Sequence, residues 1–198
     1  SIPTPTIQLQ IQLDMPERSN KTITGTLYGI DASTVKGVTI AQGFESIGGP
    51  SPEEPQRSIS KTSAQTLATF ITNTSGTANI EIPAKFQGRS MWLFVRTQSH
   101  LVRKSQSPIT LSGSTGTSCP PGERCPLMPI AIQQIAFSNL IPGDIYIAPN
   151  QTEQDNIINT FDAIELIKQL GGTGSGDLNG DSTVNARDYQ ILLGNIGK

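Results

Sequence analysis

Strictly alternating segments constrain the fold of this chain more than any other feature. In TIQLQIQL (residues 6–13), Ile7, Leu9, Ile11 and Leu13 fall on one face and glutamines on the other, the period of two typical of a half-buried strand. Similar runs rich in Thr, Val and Ile follow at KTITGTLYGI, STVKGVTIA, TLATFIT, TANIEIPA, MWLFVRT, SPITLSG and PIAIQQIAF. The sequence therefore predicts a mainly β fold, an antiparallel β-sandwich over residues 1–142 with an N-terminal arm at about residues 1–5.

The pattern changes after Pro142. Two helix-like stretches, FDAIELIKQLGG and RDYQILLGNIG, each end at glycine, which predicts a small α-helical unit over residues 143–198, the C-terminal unit. This unit carries eight acidic and three basic side chains, a balance of −5, whereas the rest of the chain carries eight and eleven, a balance of +3. The whole chain is at −2 with only 15% charged residues, which argues against a nucleic-acid partner.

Oxygen-bearing side chains crowd into one stretch of this unit, DLNGDSTVNARD (residues 177–188, the second loop). Numbered from position 1, the ligand positions 1, 3, 5, 7, 9 and 12 of an EF-hand-type loop fall on Asp177, Asn179, Asp181, Thr183 through its carbonyl, Asn185 and Asp188. This spacing predicts a Ca²⁺ site. Position 6, usually glycine, is Ser182, and a positive φ there would cost about 1 kcal/mol. The alternative is an Asx-rich turn that caps a helix.

The unit contains an internal repeat. An offset of 26 residues aligns IINTFDAIELIKQLGG (157–172) with TVNARDYQILLGNIGK (183–198), pairing Asn159 with Asn185 and Asp162 with Asp188. Two loop-helix segments therefore follow one another.

On these motifs the chain resembles the dockerin family, whose modules consist of two calcium loops, each followed by a helix. The resemblance covers about residues 143–198 and implies Ca²⁺ as the bound ion. In the first loop, position 1 is Gln151 if the offset of 26 holds throughout, or Asp144 if PGD marks the loop start and IYIAPNQ is an insertion. The first site is degenerate: it either holds calcium weakly or is an empty structural relic, and its candidate ligands are Asp144, Glu153, Asp155, Ile157, Asn159 and Asp162.

The same resemblance bears on partners. Dockerins often bind cohesin domains through hydroxyl residues at positions 10 and 11, which here are Ala186 and Arg187 in the second repeat and Thr160 and Phe161 in the first. These residues argue against the usual cohesin partner. We expect instead other copies of this chain or another surface protein.

Calcium is expected to stabilise so small a unit, because about 55 residues bury too little surface to be stable alone and a bound ion adds to the stability. A small shared core is predicted from the apolar residues of the two repeats, namely Ile157, Ile158, Phe161, Ile164, Leu166, Ile167, Leu170, Val184, Tyr189, Ile191, Leu192 and Ile196.

Several features indicate an exported protein. Cys119 and Cys125 flank a short turn in CPPGERC, a spacing that favours a local disulfide over a zinc site, which needs four ligands. The chain begins at Ser1 and not at Met, as expected of a mature product trimmed from a precursor. No apolar run reaches the ~20 residues of a membrane span. We predict a secreted or cell-surface location.

Catalysis finds little support in the sequence. His100 is the only histidine, and no pair of carboxylates is marked as a glycosidase pair. The segment IEIPAKFQGRSMWLFVRTQSHLVRK is similar to the strand pairs of fibronectin type III-like or prealbumin-like sandwiches, which concerns fold alone.

The leading hypothesis is a non-catalytic structural protein that forms extracellular filaments, with the strand from Ile7 to Leu13 added to a neighbouring sandwich. The alternative is a cohesin-binding dockerin attached to a carbohydrate-binding sandwich. That function usually needs exposed aromatic rings, and the only tryptophan, Trp92, lies in a predicted core strand.

Overall fold

The structure is a computed structural model that describes residues 6–33, 64–112, 132–149, 151 and 154–198. Two β-sheets, two short α-helices and one 3₁₀ helix (Ala84–Phe86) account for its regular secondary structure there. The strands are β1 (Thr6–Leu13), β2 (Thr24–Asp31), β3 (Gln65–Ile71), β4 (Thr77–Pro83), β5 (Ser90–Thr97), β6 (Arg103–Lys104), β7 (Ile109–Thr110) and β8 (Gln133–Phe137). The prediction of a mainly β fold is confirmed. The arm at residues 1–5, the run STVKGVTIA beyond Ser33, Cys119 and Cys125 lie outside the described residues.

Strand β1 lies in the middle of a three-stranded sheet of order β4-β1-β8. Its four predicted inward residues, Ile7, Leu9, Ile11 and Leu13, are all 0% exposed. On the outer face Gln8 donates to Glu81 (2.8 Å) and Gln10 to Asn79 (2.9 Å) across the β1–β4 ladder. The alternating pattern of this segment thus produces a strand that is hydrogen-bonded on both sides within its own chain.

One strand pair departs from the expected antiparallel arrangement. β1 pairs antiparallel with β4 but parallel with β8, in the register Leu9 with Gln133 and Leu13 with Phe137. The antiparallel prediction rested on short turns between successive strands. β8, the last strand, instead pairs with β1, the first strand. Parallel neighbours arise through such long connections.

The second sheet has the order β3-β2-β5-β6, with β7 also paired to β5. Inner-face residues of both sheets, among them Leu27, Leu67, Ile80, Leu93 and Phe137, join one hydrophobic cluster, so the two sheets form a sandwich. Trp92 was expected in this core. It is half-buried on the other face of β5, in a small cluster with Ile30 and Phe94, and Lys104 Nζ lies 4.6 Å from its ring centre.

The C-terminal unit contains helices α1 (Thr160–Lys168) and α2 (Ala186–Leu193). Each begins at an asparagine N-cap, Asn159 or Asn185, that forms a capping box with the aspartate three residues on. The core of the unit consists of Ile145, Ile158, Ala163, Leu166, Leu178, Val184 and Leu192, with Leu101 and Ile141 packed against it.

The predicted core of this unit is wrong in part. Ile157, Phe161, Ile164, Ile167, Leu170 and Ile196 are 44–57% exposed. A short helix buries only one of its sides. On that side, Leu101 and Ile141 supply some of the contacts that the prediction had expected from these six residues. Ile145 and Leu178, which the prediction omitted, are buried at the second position of each loop.

Candidate metal centre

The second loop is wound around the carboxylate of Asp177. Its Oδ1 accepts hydrogen bonds from the backbone N–H groups of Gly180 (2.9 Å) and Asp181 (3.1 Å), and its Oδ2 accepts from Ser182 (3.1 Å). Gly180 and Ser182 have φ values of 71° and 74°. The positive φ expected of Ser182 is therefore present, in a region that disfavours residues with a Cβ atom.

Asp188 closes the loop from the start of α2 and is 0% exposed. Its Oδ1 accepts from the backbone N–H groups of Leu178 (2.8 Å) and Asn179 (3.0 Å), and its Oδ2 accepts from that of Asn185 (2.9 Å). One lone pair of Oδ2 is left by these bonds. The carboxylate thus both caps the helix and faces the loop interior.

The remaining predicted ligands meet at Asp181. Its Oδ2 accepts from Nδ2 of Asn179 (2.9 Å) and of Asn185 (3.3 Å), and Asn185 Nδ2 also donates to the carbonyl of Thr183 (3.0 Å). The hydrogen bond from Asn179 is the main cause of a pKa of Asp181 below its ordinary value. The structure therefore brings the six predicted residues of the second loop into one hydrogen-bonded group.

This donor set fits a hard cation by its chemistry. Three aspartates, two asparagines and one carbonyl provide only oxygen ligands, which is what Ca²⁺ prefers. Among the described residues no three His, Cys, Asp or Glu side chains gather into a group that could hold a metal by themselves. A cation in this loop would depend on the asparagine and carbonyl oxygens as well.

The first loop (residues 144–162) repeats the same contacts. Asp162, also 0% exposed, accepts at Oδ1 from the backbone N–H groups of Ile145 and Tyr146 (both 2.8 Å) and at Oδ2 from Asn159 (2.8 Å). Ile145 and Tyr146 therefore correspond to Leu178 and Asn179 of the second loop. Asp144, one residue earlier, occupies position 1.

The structure thus decides between the two alignments of the first loop. The offset between repeats is 33 residues at the loop start (144 to 177) and 26 at its end (162 to 188), so the first loop has seven additional residues. Position 1 is Asp144 and not Gln151, and position 3 is Tyr146, which lacks a carboxylate or amide oxygen.

The second half of the first loop follows the offset of 26. Asp155 Oδ1 accepts from the backbone N–H of Ile157 (3.0 Å), as Asp181 Oδ1 does from Thr183 (3.0 Å). Asn156 has a φ of 63°, matching Ser182. Positions 5, 7, 9 and 12 are therefore Asp155, Ile157, Asn159 and Asp162. Glu153 lies outside the described residues.

Asp144 carries the most perturbed carboxylate of the first loop. It is 1% exposed and its Oδ1 has no hydrogen-bond partner. Burial and then the neighbouring Asp162 raise the pKa of Asp144 to about 8, against the opposing charge of Arg96. Burial also raises the pKa of Asp162. An unpartnered buried oxygen beside other carboxylates fits a cation, although Tyr146 at position 3 supplies no carboxylate or amide oxygen.

The sandwich contacts both loops through residues that the sequence analysis did not identify. Arg18 Nη1 donates to the carbonyls of Asp177 and Leu178, and Ser19 donates from its N–H (2.8 Å) and its hydroxyl (3.1 Å) to the carbonyl of Asn179. Burial lowers the pKa of Arg18 although Asp177 and Asp188 act in the opposite direction.

At the first loop, Arg96 donates to the carbonyl and side chain of Gln154, which itself donates to the carbonyl of Gln98 (2.6 Å). The N–H of Val102 donates to Asn156 Oδ1 (2.6 Å). Arg96 is 5% exposed. The sequence signal for this contact was an arginine in an otherwise apolar strand, where a charged side chain needs a partner.

No protein-family model and no curated protein matches this chain. Within the described ranges, no helix has the length and apolarity needed to cross a bilayer. The interpretation of the two loops as cation sites therefore rests on their geometry alone.

Proposed function

We propose that this chain is a non-catalytic structural protein, secreted or exposed on a cell surface, whose dockerin-like C-terminal unit binds calcium and which assembles with other copies of itself. The observation that carries the calcium part is the duplicated loop: in both copies an aspartate, Asp162 or Asp188, closes the loop from a helix N-terminus, and in the second copy backbone N–H groups also enclose the aspartate at position 1.

Calcium would act here as a structural ion. The second loop provides all six ligand positions and the first provides five, because Tyr146 replaces the position occupied by Asn179. An ion at ~1,000 times its dissociation constant adds about 4 kcal/mol to stability. Because Arg18 and Ser19 are bonded to the second loop, that stabilisation extends to the contact between the C-terminal unit and the sandwich.

The assembly part is supported by exposed apolar surface. Eight of the ten exposed large apolar side chains among the described residues lie in the C-terminal unit. Strand exchange through Ile7, Leu9, Ile11 and Leu13 would place β1 of one copy between β4 and β8 of the next, because those are its partners within one chain. Such an exchange would keep the same hydrogen bonds but form them between two copies instead of within one.

The experiment that tests this proposal is sedimentation velocity and electron microscopy of purified protein, with calcium and after a chelator. We expect oligomers or filaments with calcium and fewer of them after the chelator, because the C-terminal unit loses its structural ions. Dispersed monomers under both conditions, at every concentration tested, would exclude the assembly function.

A further inference from the structure

Helix α1 carries an apolar face that the described part of the chain leaves exposed. Phe161, Ile164 and Ile167, three residues apart, are 57%, 49% and 50% exposed, and Ile157 and Leu170 beside the helix are 49% and 50% exposed. These five residues are the apolar face. The aromatic ring of Tyr146 stacks on Phe161 with centroids 5.3 Å apart, which extends the face and fixes the Phe161 ring.

The internal repeat provides a comparison for this face. At the offset of 26, Phe161, Ile164 and Ile167 correspond to Arg187, Gln190 and Leu193 of α2. Arg187 and Gln190 are exposed, as their counterparts are. At two of the three positions the side chain is therefore polar in one repeat and apolar in the other, whereas the third counterpart, Leu193, is apolar and 47% exposed. The loop-helix fold does not require apolar side chains at these helix positions. Contact with another protein surface explains why they are apolar in α1.

The size of the face fits part of a protein interface. An aromatic side chain buries about 150–250 Å² and Ile and Leu somewhat less, so five such side chains that are half exposed present on the order of 400 Å² of apolar surface. A stable interface buries about 800 Å² on each partner, with an apolar centre and a polar rim. Glu165 and Lys168, paired at 3.0 Å on the same helix, supply polar rim at its edge.

We infer that the apolar face of α1 binds the sandwich of a second copy of this chain. The C-terminal unit has a charge of −5, which two bound Ca²⁺ ions would reduce to −1, and the rest of the chain has +3, so contact between unlike parts of two copies is attractive, whereas contact between two sandwiches is repulsive. A head-to-tail contact of this kind continues from copy to copy unless it closes into a ring. The inference rests on the proposed assembly function and names its surface.

The test compares two matched variants, Ile164→Asp and Gln190→Asp. Both place a carboxylate at the same exposed helix position, one on the apolar face and one on its polar counterpart. We expect Ile164→Asp to weaken self-association in sedimentation velocity by ~tenfold or more, as for an interface anchor, and Gln190→Asp to change it less than twofold. Circular dichroism and calcium-dependent melting check that both fold. If Ile164→Asp does not, Phe161→Gln takes its place.

Mixing distinguishes head-to-tail from symmetric contact. The Ile164→Asp chain keeps an intact sandwich, so small amounts added to wild type should end growing assemblies and shorten them in electron micrographs. Equal weakening by both variants, or wild-type assembly of Ile164→Asp, would overturn the inference while leaving the proposed function in place. A wild-type chain that is monomeric throughout would overturn both. Unchanged assembly lengths on mixing would overturn the head-to-tail contact.

Discussion

Asp144 and Asp177 occupy the same loop position in different surroundings. Asp177 Oδ1 has two backbone donors, Gly180 and Asp181, whereas the additional residues of the first loop leave Asp144 Oδ1 without a partner. The backbone therefore bonds both oxygens of Asp177, whereas at Asp144 it bonds one, through the N–H of Asn156, and leaves the buried Oδ1 without a donor. At the scale of single residues, the hydrogen bonds of position 1 distinguish the two sites.

His100 is buried at the contact between the sandwich and the C-terminal unit. Its Nδ1 contacts the hydroxyls of Thr97 (2.9 Å) and Ser99 (3.2 Å), while Nε2 has no partner. Burial, and then the charge of Arg18, lower the pKa of His100 to about 3. The imidazole is therefore neutral in the folded protein.

The low pKa of His100 predicts acid destabilisation. Between its unfolded pKa of about 6.5 and its folded pKa of about 3, only the unfolded chain binds the proton, so stability falls as pH falls through this range. Urea unfolding at pH 6.5 and pH 5 should show wild type losing about 1.5 kcal/mol more than His100→Gln. An equal loss in both proteins would show that His100 is not buried as described.

At the scale of elements, the two loops show how an insertion changes a site without changing its helix. α1 and α2 begin with the same capping box, yet position 3 is Tyr146 in one loop and Asn179 in the other. The helix depends on positions 9 and 12, which both repeats keep. A cation would depend on every position, so the two loops differ in their ligand sets, through Tyr146 at position 3 and the seven residues inserted after it.

Restoring the missing oxygen should tighten the first loop. We expect Tyr146→Asn to increase calcium affinity at the weaker site by about tenfold in calorimetric titration, since it adds one oxygen ligand. Tyr146→Phe is the matched control, because it keeps the stacking on Phe161 and adds no oxygen. A response of the control equal to that of Tyr146→Asn would assign the change to loss of the tyrosine hydroxyl and not to coordination.

Local signals predicted the elements that depend on local chemistry. The alternation of β1, the two helices and the six residues of the second loop were all readable, because a strand face, a capping box and a calcium-type loop are short-range patterns. The register of the first loop was left open, since only the contacts of Asp162 with Ile145 and Tyr146 reveal the insertion.

Long-range features were not readable from the sequence. The parallel pairing of β1 with β8 joins the two ends of the sandwich, and no local pattern encodes which strand lies beside another. The apolar residues of α1 have a helical period that indicates burial, but the period does not say whether the chain itself or another molecule covers them. Arg18, Ser19 and Arg96 become part of the site only through the fold.

At the scale of the whole molecule, the sandwich and the C-terminal unit are joined at the loops themselves. Arg18 and Ser19 bind carbonyls of the second loop, while Arg96 and Gln154 connect β5 to the first. Neither loop is an independent appendage, so an ion that orders a loop also orders its contact with the sandwich. Calcium should therefore affect the stability of the whole chain.

Thermal unfolding with calcium and with a chelator tests this central claim most directly. Asp181→Ala removes a ligand, and Asp31→Ala is its control, because Asp31 Oδ1 accepts from the N–H of Ser33 (2.9 Å) in a similar turn away from the loops. At saturating calcium we expect the melting temperature of wild type and of Asp31→Ala to rise by about 10 °C, for about 4 kcal/mol of added stability, and that of Asp181→Ala to rise by less than half as much. A wild-type melting temperature that is the same with calcium and with chelator would contradict the account.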